Sequence, residues 1–128
     1  MAGANILVAD DAEGHRMLLE MLLSADGHVV HTVADGREAL EYLKTETPDL
    51  AILDVAMPGI SGIDVCHRMK RVARLKGVPV VILTALTDGR TQEMARMARA
   101  DAVITKPLEG KDFRAAVNAL LARADDAG

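Results

Sequence analysis

The fold is decided by the stretch Leu50-Ala51-Ile52-Leu53-Asp54, an uninterrupted apolar run that ends in a carboxylate. Pro48 stands before the run, and the loop-forming sequence Met57-Pro58-Gly59-Ile60-Ser61-Gly62 follows it. A short run without polar alternation, bounded by such residues, is typical of a strand buried on both faces. Such strands belong to parallel sheets that helices cover on each side. The stretch therefore predicts an α/β protein in which Asp54 stands at the carboxyl end of a buried strand.

Four further apolar runs flank this strand in the sequence and alternate with helix-length amphipathic stretches. They predict strands at residues 5–9, 28–33, 78–83 and 102–104. Helices are predicted over about 12–25, between 35 and 47, from Ser61 onward, over 88–98 and over 110–124. Five strands that are each followed by a helix predict a doubly wound, five-stranded, mostly parallel sheet.

Apolar positions at helical spacing indicate which helix faces meet the sheet. The residues predicted to be buried are Met17, Leu18, Met21 and Leu22 in the first helix, Ile63, Cys66, Met69 and Val72 in the third, and Phe113, Val117, Leu120 and Leu121 in the last. The methionines at 17, 21, 69, 94 and 97 share this spacing, which favours core packing over a Met-lined groove. Asp35 with Glu38, and Ser61 with Asp64, have the spacing of capping boxes.

The composition narrows the classes of function. A length of 128 residues suits a single domain over 1–128, whose ends 1–4 and 125–128 are expected to be flexible. Aromatic residues make up only 2% of the chain, and the net charge of -4 includes no long basic block, which argues against direct nucleic acid binding. No apolar run is long enough to span a bilayer, and a single cysteine, Cys66, cannot form an internal disulfide. We therefore expect a cytoplasmic protein with a protein partner.

Charged and hydroxyl side chains stand at the ends of four predicted strands. Asp10 and Asp11 follow the first strand, Asp54 ends the third, Thr84 follows the fourth and Lys106 follows the fifth. Ligands of doubly wound sheets bind beyond the carboxyl ends of the strands, where the strand order reverses. Each residue alone has an ordinary explanation, such as helix capping for the acidic pair. Together they place three carboxylates, a hydroxyl and an ammonium group at one edge of the sheet.

This set of groups suits phosphoryl chemistry. Three neighbouring carboxylates repel one another, so a bound cation is expected to offset their charge. Magnesium suits such a site because it accepts one or two carboxylates and leaves positions for phosphate oxygens. Lys106 and Thr84 would supply a positive charge and a hydroxyl donor for a phosphoryl group. Asp54 then remains as the nucleophile, since an ionised carboxylate can attack phosphorus to give an acyl phosphate.

These residues resemble the receiver domains of two-component response regulators, and the resemblance covers essentially the whole chain. It rests on the acidic pair after strand one, the Asp followed by a Met-Pro-Gly loop, the Thr after strand four and the Lys-Pro after strand five. The resemblance implies a flavodoxin-like (βα)5 fold with strand order 2-1-3-4-5. At this length the chain would be a stand-alone receiver that catalyses only its own phosphorylation and dephosphorylation.

The resemblance also implies a set of metal ligands. Asp11 would bind an Mg2+ or Mn2+ ion directly, and Asp10 would bind it mainly through water. Asp54 and the backbone carbonyl of Ala56 would complete the protein's share of the metal shell.

A phosphoryl donor and a conformational response follow from the same resemblance. Asp54 would take the phosphoryl group from a phosphohistidine of a sensor histidine kinase or a histidine phosphotransfer protein, Lys106 would bind it, and Thr84 would swing toward it. The signal would pass to a downstream protein that the sequence does not identify. Val103 stands where receivers often carry Tyr or Phe, so the switch is expected to use Thr84, Val103 and movement of the loop at 85–89.

The sequence departs from the family pattern at three other positions. Arg99 stands where receivers commonly have a glycine that ends the fourth helix, which predicts either local strain or another helix ending. Ala56 and Leu86 flank the route of the water that would attack the acyl phosphate, and neither offers a polar group to orient it. A persistent phosphoryl-Asp54 is therefore expected.

Other functions remain as alternatives. A magnesium-dependent aspartyl-phosphate phosphatase would carry its nucleophile after strand one and a second Asp two residues later, whereas residue 12 is Ala. A flavin-binding module would need a Ser/Thr/Gly-rich phosphate loop and aromatic stacking partners. A receiver-like interaction module that acts without phosphorylation stays open because of Val103. The histidines at 15, 28, 31 and 67 lack zinc-ligand spacing with Cys66 and are expected to be solvated or half-buried.

Overall fold

The computed structural model of the chain describes residues 3–86 and 88–127, without the side chains of 125–127. The described residues form five strands, β1 (Asn5–Ala9), β2 (Val29–Val33), β3 (Leu50–Asp54), β4 (Val80–Thr84) and β5 (Ala102–Thr105). The helices that alternate with them are α1 (Glu13–Ser24), α2 (Gly36–Thr45), α3 (Gly62–Met69), α4 (Gly89–Met97) and α5 (Gly110–Ala127). Neighbouring strands are parallel and lie in the order β2-β1-β3-β4-β5, which confirms the predicted flavodoxin-like topology.

The sheet separates two apolar cores. Every residue of β3 and β4 is buried, as their unbroken apolar runs predicted. Because side chains alternate across a strand, Leu53 faces a core shared with α2, α3 and α4, whereas Ile52 faces a core shared with α1 and α5. None of the helices in the described residues combines the length and the apolar character needed to cross a bilayer.

The prediction for the buried face of α1 was wrong for three of its four residues, whereas the fourth, Leu22, is partly buried against the core. Leu19 and Leu23 are buried, whereas Met17 and Met21 are 63% and 62% exposed and Leu18 is exposed as well. Residues 17–19 and 21–23 are all apolar, so two adjacent stripes on the helix have helical spacing. Spacing alone cannot choose between them. The choice is made by the packing of Leu19 and Leu23 in the core that contains Phe113 of α5.

The predicted role of the methionines in the core was also wrong for most of them. Met69 is buried, but Met94 and Met97 on α4 are exposed, as are the two methionines on α1. Val72 is exposed too, because α3 ends at Met69 and the following turn carries Val72 away from the sheet. A flexible, unbranched side chain at helical spacing is therefore not by itself a sign of burial in this chain.

A buried histidine, His28, joins the residue that precedes β1 to α5. The backbone N–H of Ala4 donates to Nδ1 of His28 at 3.0 Å, which leaves Nε2–H to donate to Oδ1 of Asn118 at 2.9 Å. Asn118 and Arg114 in turn donate to the carboxylate of Asp26. Ala4 is fully buried, while Met1, Ala2 and Gly128, where flexible ends were predicted, lie outside the described residues.

α4 ends in a left-handed conformation at Arg99, where receivers commonly have a glycine. Arg99 has φ +67°, a left-handed conformation that disfavours any residue with a Cβ. The next residue, Ala100, donates its N–H to the carbonyl of Ala95 at 3.0 Å, which is the hydrogen bond of a Schellman ending. Of the two predicted outcomes, the strained residue is the one observed.

Arg99→Gly should raise the free energy of unfolding by about 0.5–1 kcal/mol, because glycine reaches the left-handed conformation without a Cβ clash. The gain is smaller than the full strain because glycine also gains freedom in the unfolded chain. Urea denaturation followed by circular dichroism measures it. Arg99→Ala is the matched control, since it removes the guanidinium but keeps the Cβ. Equal stabilisation by both substitutions would contradict the assignment of strain.

Candidate functional site

The strand order brings the candidate residues to one edge of the sheet. β1 and β3 are neighbours, so Asp10, directly after β1, lies beside Asp54 at the end of β3. Backbone hydrogen bonds continue past the strand ends, from Val55 N–H to the Leu83 carbonyl at 2.9 Å and from Lys106 N–H to the Thr84 carbonyl at 2.8 Å. The chain after β5 is thereby held against β4. The site lies at the point where the strand order reverses, as expected for this class of sheet.

Asp54 is a buried carboxylate with a cationic partner. Its side chain is nearly inaccessible, and Oδ2 accepts a hydrogen bond from Nζ of Lys106 at 2.7 Å. Oδ1 accepts the backbone N–H of Ala56 at 3.1 Å. Both carboxylate oxygens are therefore held in place, and one of them faces a positive charge.

Asp10 is buried more completely and has a different set of partners. It is 0% exposed, and Oδ1 accepts the backbone N–H of Ala12 at 2.9 Å. Oδ2 contacts Nδ1 of His15 and lies 3.7 Å from Nζ of Lys106. Lys106 thus stands between the two carboxylates, closer to Asp54 than to Asp10.

The two aspartates ionise with different ease. Burial raises the pKa of Asp54 and the charge of Asp10 raises it further, which the hydrogen bonds from Lys106 and Ala56 oppose only in part. Burial alone would raise the pKa of Asp10 as well. For Asp10, however, the contact with His15, the hydrogen bond from the Ala12 N–H and the charge of Lys106 outweigh burial and lower the pKa below its ordinary value. Asp10 is the more firmly ionised member of the pair.

The other predicted residues lie near this group without joining its hydrogen bonds to Asp54 or Asp10. Asp11 is exposed, beside the buried Asp10. Thr84 is buried at the end of β4, and its Oγ1 accepts the backbone N–H of Leu86 at 2.9 Å. Val103 pairs with Ile82 and is partly buried against the core of α2, α3 and α4.

His15 is a member of the site that the spacing argument missed. The spacing between His15 and Cys66 gave no sign of a site, because the partner of His15 is Asp10, five residues earlier. α1 begins at Glu13, so His15 lies in its first turn, and helical side chains lean back toward the N-terminus. A histidine in the first turn of a helix that follows an acidic strand end is the signal that could have identified it.

The donor atoms at this edge fit a small divalent cation. Ligand atoms of Asp10, His15 and Asp54 all lie within 4.8 Å of one another. Among the residues that the structure describes, Lys106 brings an ammonium group to both buried carboxylates, and a bound cation would further offset the repulsion between them. Asp11 does not belong to this close group in the described structure.

Gly62 allows α3 to start directly against Asp54. A Cβ at position 62 would lie 2.3 Å from the carbonyl oxygen of Asp54 and 2.8 Å from its carbonyl carbon. Ser61, which precedes it, caps the helix by accepting the N–H of Asp64 at 3.2 Å. The loop after Asp54 is therefore closed by a helix that packs on the backbone of Asp54 itself.

Comparison with known proteins gives consistent results along the chain. A family model of the response regulator receiver domain matches residues 6–118. The transcriptional regulatory protein AfsQ1 of Streptomyces coelicolor is 36% identical over 121 residues, which cover 94% of this chain and 52% of that protein. The DNA-binding response regulator MtrA of Mycobacterium tuberculosis is 40% identical over 121 residues, with the same coverage of 94% and 52%. The chain spans about half the length of the curated relatives it matches.

Solved structures show the same similarity. The receiver domain of a signal transduction histidine kinase from Syntrophus aciditrophicus superposes with a TM-score of 0.88 at 34% identity, over 93% of this chain and 90% of that chain. A CheY-like receiver domain protein from Methanospirillum hungatei reaches a TM-score of 0.93, over 99% and 100% of the two chains. Its identity of 22% makes it evidence for the fold alone.

Gly62→Ala should lower the free energy of unfolding by about 1–3 kcal/mol, because the added methyl group collides with the Asp54 backbone and forces a shift. Urea denaturation measures the change. Gly14→Ala is the matched control: position 14 lies in α1, and a Cβ there meets nothing within 4 Å. The control should be neutral or slightly stabilising. Equal stability of the two variants would show that the Asp54 backbone does not limit position 62.

Proposed function

The chain belongs to the response regulator receiver family, and on that premise we propose that Asp54 accepts a phosphoryl group from a phosphohistidine and thereby switches the contacts of the protein with a partner. The observation that carries the proposal is the buried Asp54 carboxylate with the Lys106 ammonium at 2.7 Å. A carboxylate held in this way is a nucleophile beside a ready counter-charge for the incoming phosphoryl oxygens.

In the proposed transfer, one bond to phosphorus forms and one breaks. An oxygen of the ionised Asp54 carboxylate attacks phosphorus, the phosphorus–nitrogen bond of the donor phosphohistidine breaks, and the electron pair leaves with the imidazole. An acyl phosphate on Asp54 is the product. Lys106 favours the ionised form of Asp54 before the transfer and would bind a phosphoryl oxygen after it. No proton needs to be removed from the nucleophile.

The acidic residues supply the charge for a divalent ion. We propose that Asp10, Asp11, Asp54 and the carbonyl of Ala56 hold Mg2+ or Mn2+. When bound, such an ion neutralises negative charge on the transferring group and helps to orient it. The exposed position of Asp11 beside the buried Asp10 leaves its carboxylate free to turn toward the ion.

Thr84 and Val103 are proposed to report the phosphorylated state. The Thr84 hydroxyl accepts the N–H of Leu86, and it can instead donate its own proton to a phosphoryl oxygen. That rotation would release the loop at 85–89, in which Thr87 lies outside the described residues, and would leave space for the partly buried Val103. The proposed partners are a sensor histidine kinase or phosphotransfer protein as donor and a downstream cytoplasmic protein as receiver of the signal.

Incubation with Mg2+ and a small acyl phosphate donor should add one phosphoryl group, a mass increase of about 80 Da in the intact protein. Asp54→Asn should abolish the addition because it removes the nucleophile, and chelation of the divalent ion should suppress it. Asp112→Asn, on the exposed first turn of α5, is the matched control and should leave the addition unchanged. No adduct on the wild type would instead favour an interaction module that works without phosphorylation.

The phosphoryl group on Asp54 should persist for minutes or longer at neutral pH, because Ala56 and Leu86 are exposed apolar side chains that cannot orient water. Ala56→Gln adds a hydrogen-bonding group beside the acyl phosphate and should shorten its lifetime several-fold. Ala73→Gln, at an exposed position after α3, serves as the control. Loss of the label is followed by intact mass, and decay of the wild type within seconds would contradict the expected persistence.

A further inference from the structure

His15 differs from the other histidines of the chain in its surroundings. Its Nδ1 contacts the Asp10 carboxylate, and its side chain is largely but not fully covered, at 19% exposure. Both ring nitrogens of His28 are engaged by Ala4 and Asn118 in a structural role. His31 stacks on Tyr42, away from the site. Among the residues that the structure describes, His15 thus brings an imidazole into the group with Asp10 and Asp54.

The distances favour a ligand role for this imidazole. One ring nitrogen of His15 and one oxygen from each aspartate lie within 4.8 Å of one another, close enough to surround one ion after small side-chain rotations. Nδ1 is the nitrogen that contacts Asp10. Lys106 approaches Asp54 at 2.7 Å but Asp10 only at 3.7 Å. The Asp10 oxygen that faces the site therefore has His15, not Lys106, as its close partner.

A nitrogen ligand changes which cations a carboxylate site prefers. Mg2+ takes oxygen ligands and keeps several waters, whereas Mn2+, Co2+ and Zn2+ accept imidazole nitrogen as well. An Asp, Asp and His set with open positions is accordingly better matched to a first-row transition ion than a set of carboxylates and carbonyls alone. Binding through Nδ1 needs the neutral imidazole with its proton on Nε2.

We propose that His15 is a cation ligand of the Asp10–Asp54 site and that it biases the site toward a first-row transition ion such as Mn2+ over Mg2+. The inference rests on the proposed function for its biological meaning, since it concerns the ion that would assist phosphorylation of Asp54. The ligand contact itself is a property of the protein and can be measured without any phosphoryl donor.

Pulsed electron paramagnetic resonance of the Mn2+-loaded protein tests the contact directly. A histidine nitrogen bound to Mn2+ gives a nitrogen modulation of the spin echo. We expect this modulation in the wild type and in His67→Leu, which removes an exposed histidine of α3, and its loss in His15→Leu. The wild-type spectrum decides the matter even if His15→Leu does not fold. A wild type without nitrogen modulation overturns the proposal and leaves His15 as a hydrogen-bond donor to Asp10.

Affinity provides a second, independent readout. Competition between Mn2+ and Mg2+ in the wild type and in His15→Gln, which exchanges the nitrogen for an amide oxygen, should show the Mn2+ preference falling by at least about tenfold. His67→Gln should leave the preference within about twofold of the wild type. An unchanged preference in His15→Gln would overturn the selectivity part of the proposal.

The proposal and the proposed function fail in different ways. Phosphorylation of Asp54 with Mg2+, combined with an absent nitrogen modulation, rejects His15 as a ligand and keeps the phosphoacceptor. Nitrogen modulation in the Mn2+-loaded protein, combined with no phosphoryl adduct in the presence of either Mg2+ or Mn2+, supports His15 as a ligand and rejects Asp54 as a phosphoacceptor.

Discussion

The contact between Lys106 and Asp54 is the interaction on which the arrangement of the site depends. Two carboxylates, Asp10 and Asp54, are buried side by side because β1 and β3 are neighbours in the sheet. Buried carboxylates without a counter-charge would be strongly unfavourable, and Lys106 provides that charge from the end of β5. Its backbone is in turn fixed to Thr84 at the end of β4. The edge strand β5 therefore has to pair correctly with β4 so that Lys106 can stabilise the buried carboxylates of Asp10 and Asp54.

The fold, and the meeting of Asp10, Asp54 and Lys106 at one edge of the sheet, could be predicted from the sequence because both follow from short-range patterns. Unbroken apolar runs such as Leu50–Leu53 indicate strands buried on both faces, and residues that follow parallel strands must meet at one edge. The buried stripe of α1 could not be predicted in this way. Met17 and Leu19 lie on adjacent stripes of similar hydrophobicity, so only the packing against Phe113 distinguishes them.

His15 escaped prediction for a related reason. Its partner lies across the turn between β1 and α1, and the distance between them depends on where the helix starts and on the direction of its side chains. At Arg99, by contrast, the family pattern correctly identified a special backbone position. The family pattern identified the position as one that suits glycine, and the backbone keeps the left-handed ending although the residue has a Cβ. The Schellman hydrogen bond of Ala100 and the buried Ala95 and Ala98 fix the helix end more strongly than the local preference of Arg99 opposes it.

The network around His28 has a consequence for the order in which the chain can acquire its structure during synthesis. Ala4 is tied through His28 to Asn118, which is 90 residues further along the chain than His28, and Arg114 of α5 binds Asp26 across a similar separation. Contacts between such distant segments form late, because a long loop has to close first. β1 pairs with β2 and β3 on both sides, but the apolar face that it turns toward α5 stays uncovered until α5 has been synthesised. An interrupted translation product would therefore expose apolar surface that favours association with other chains.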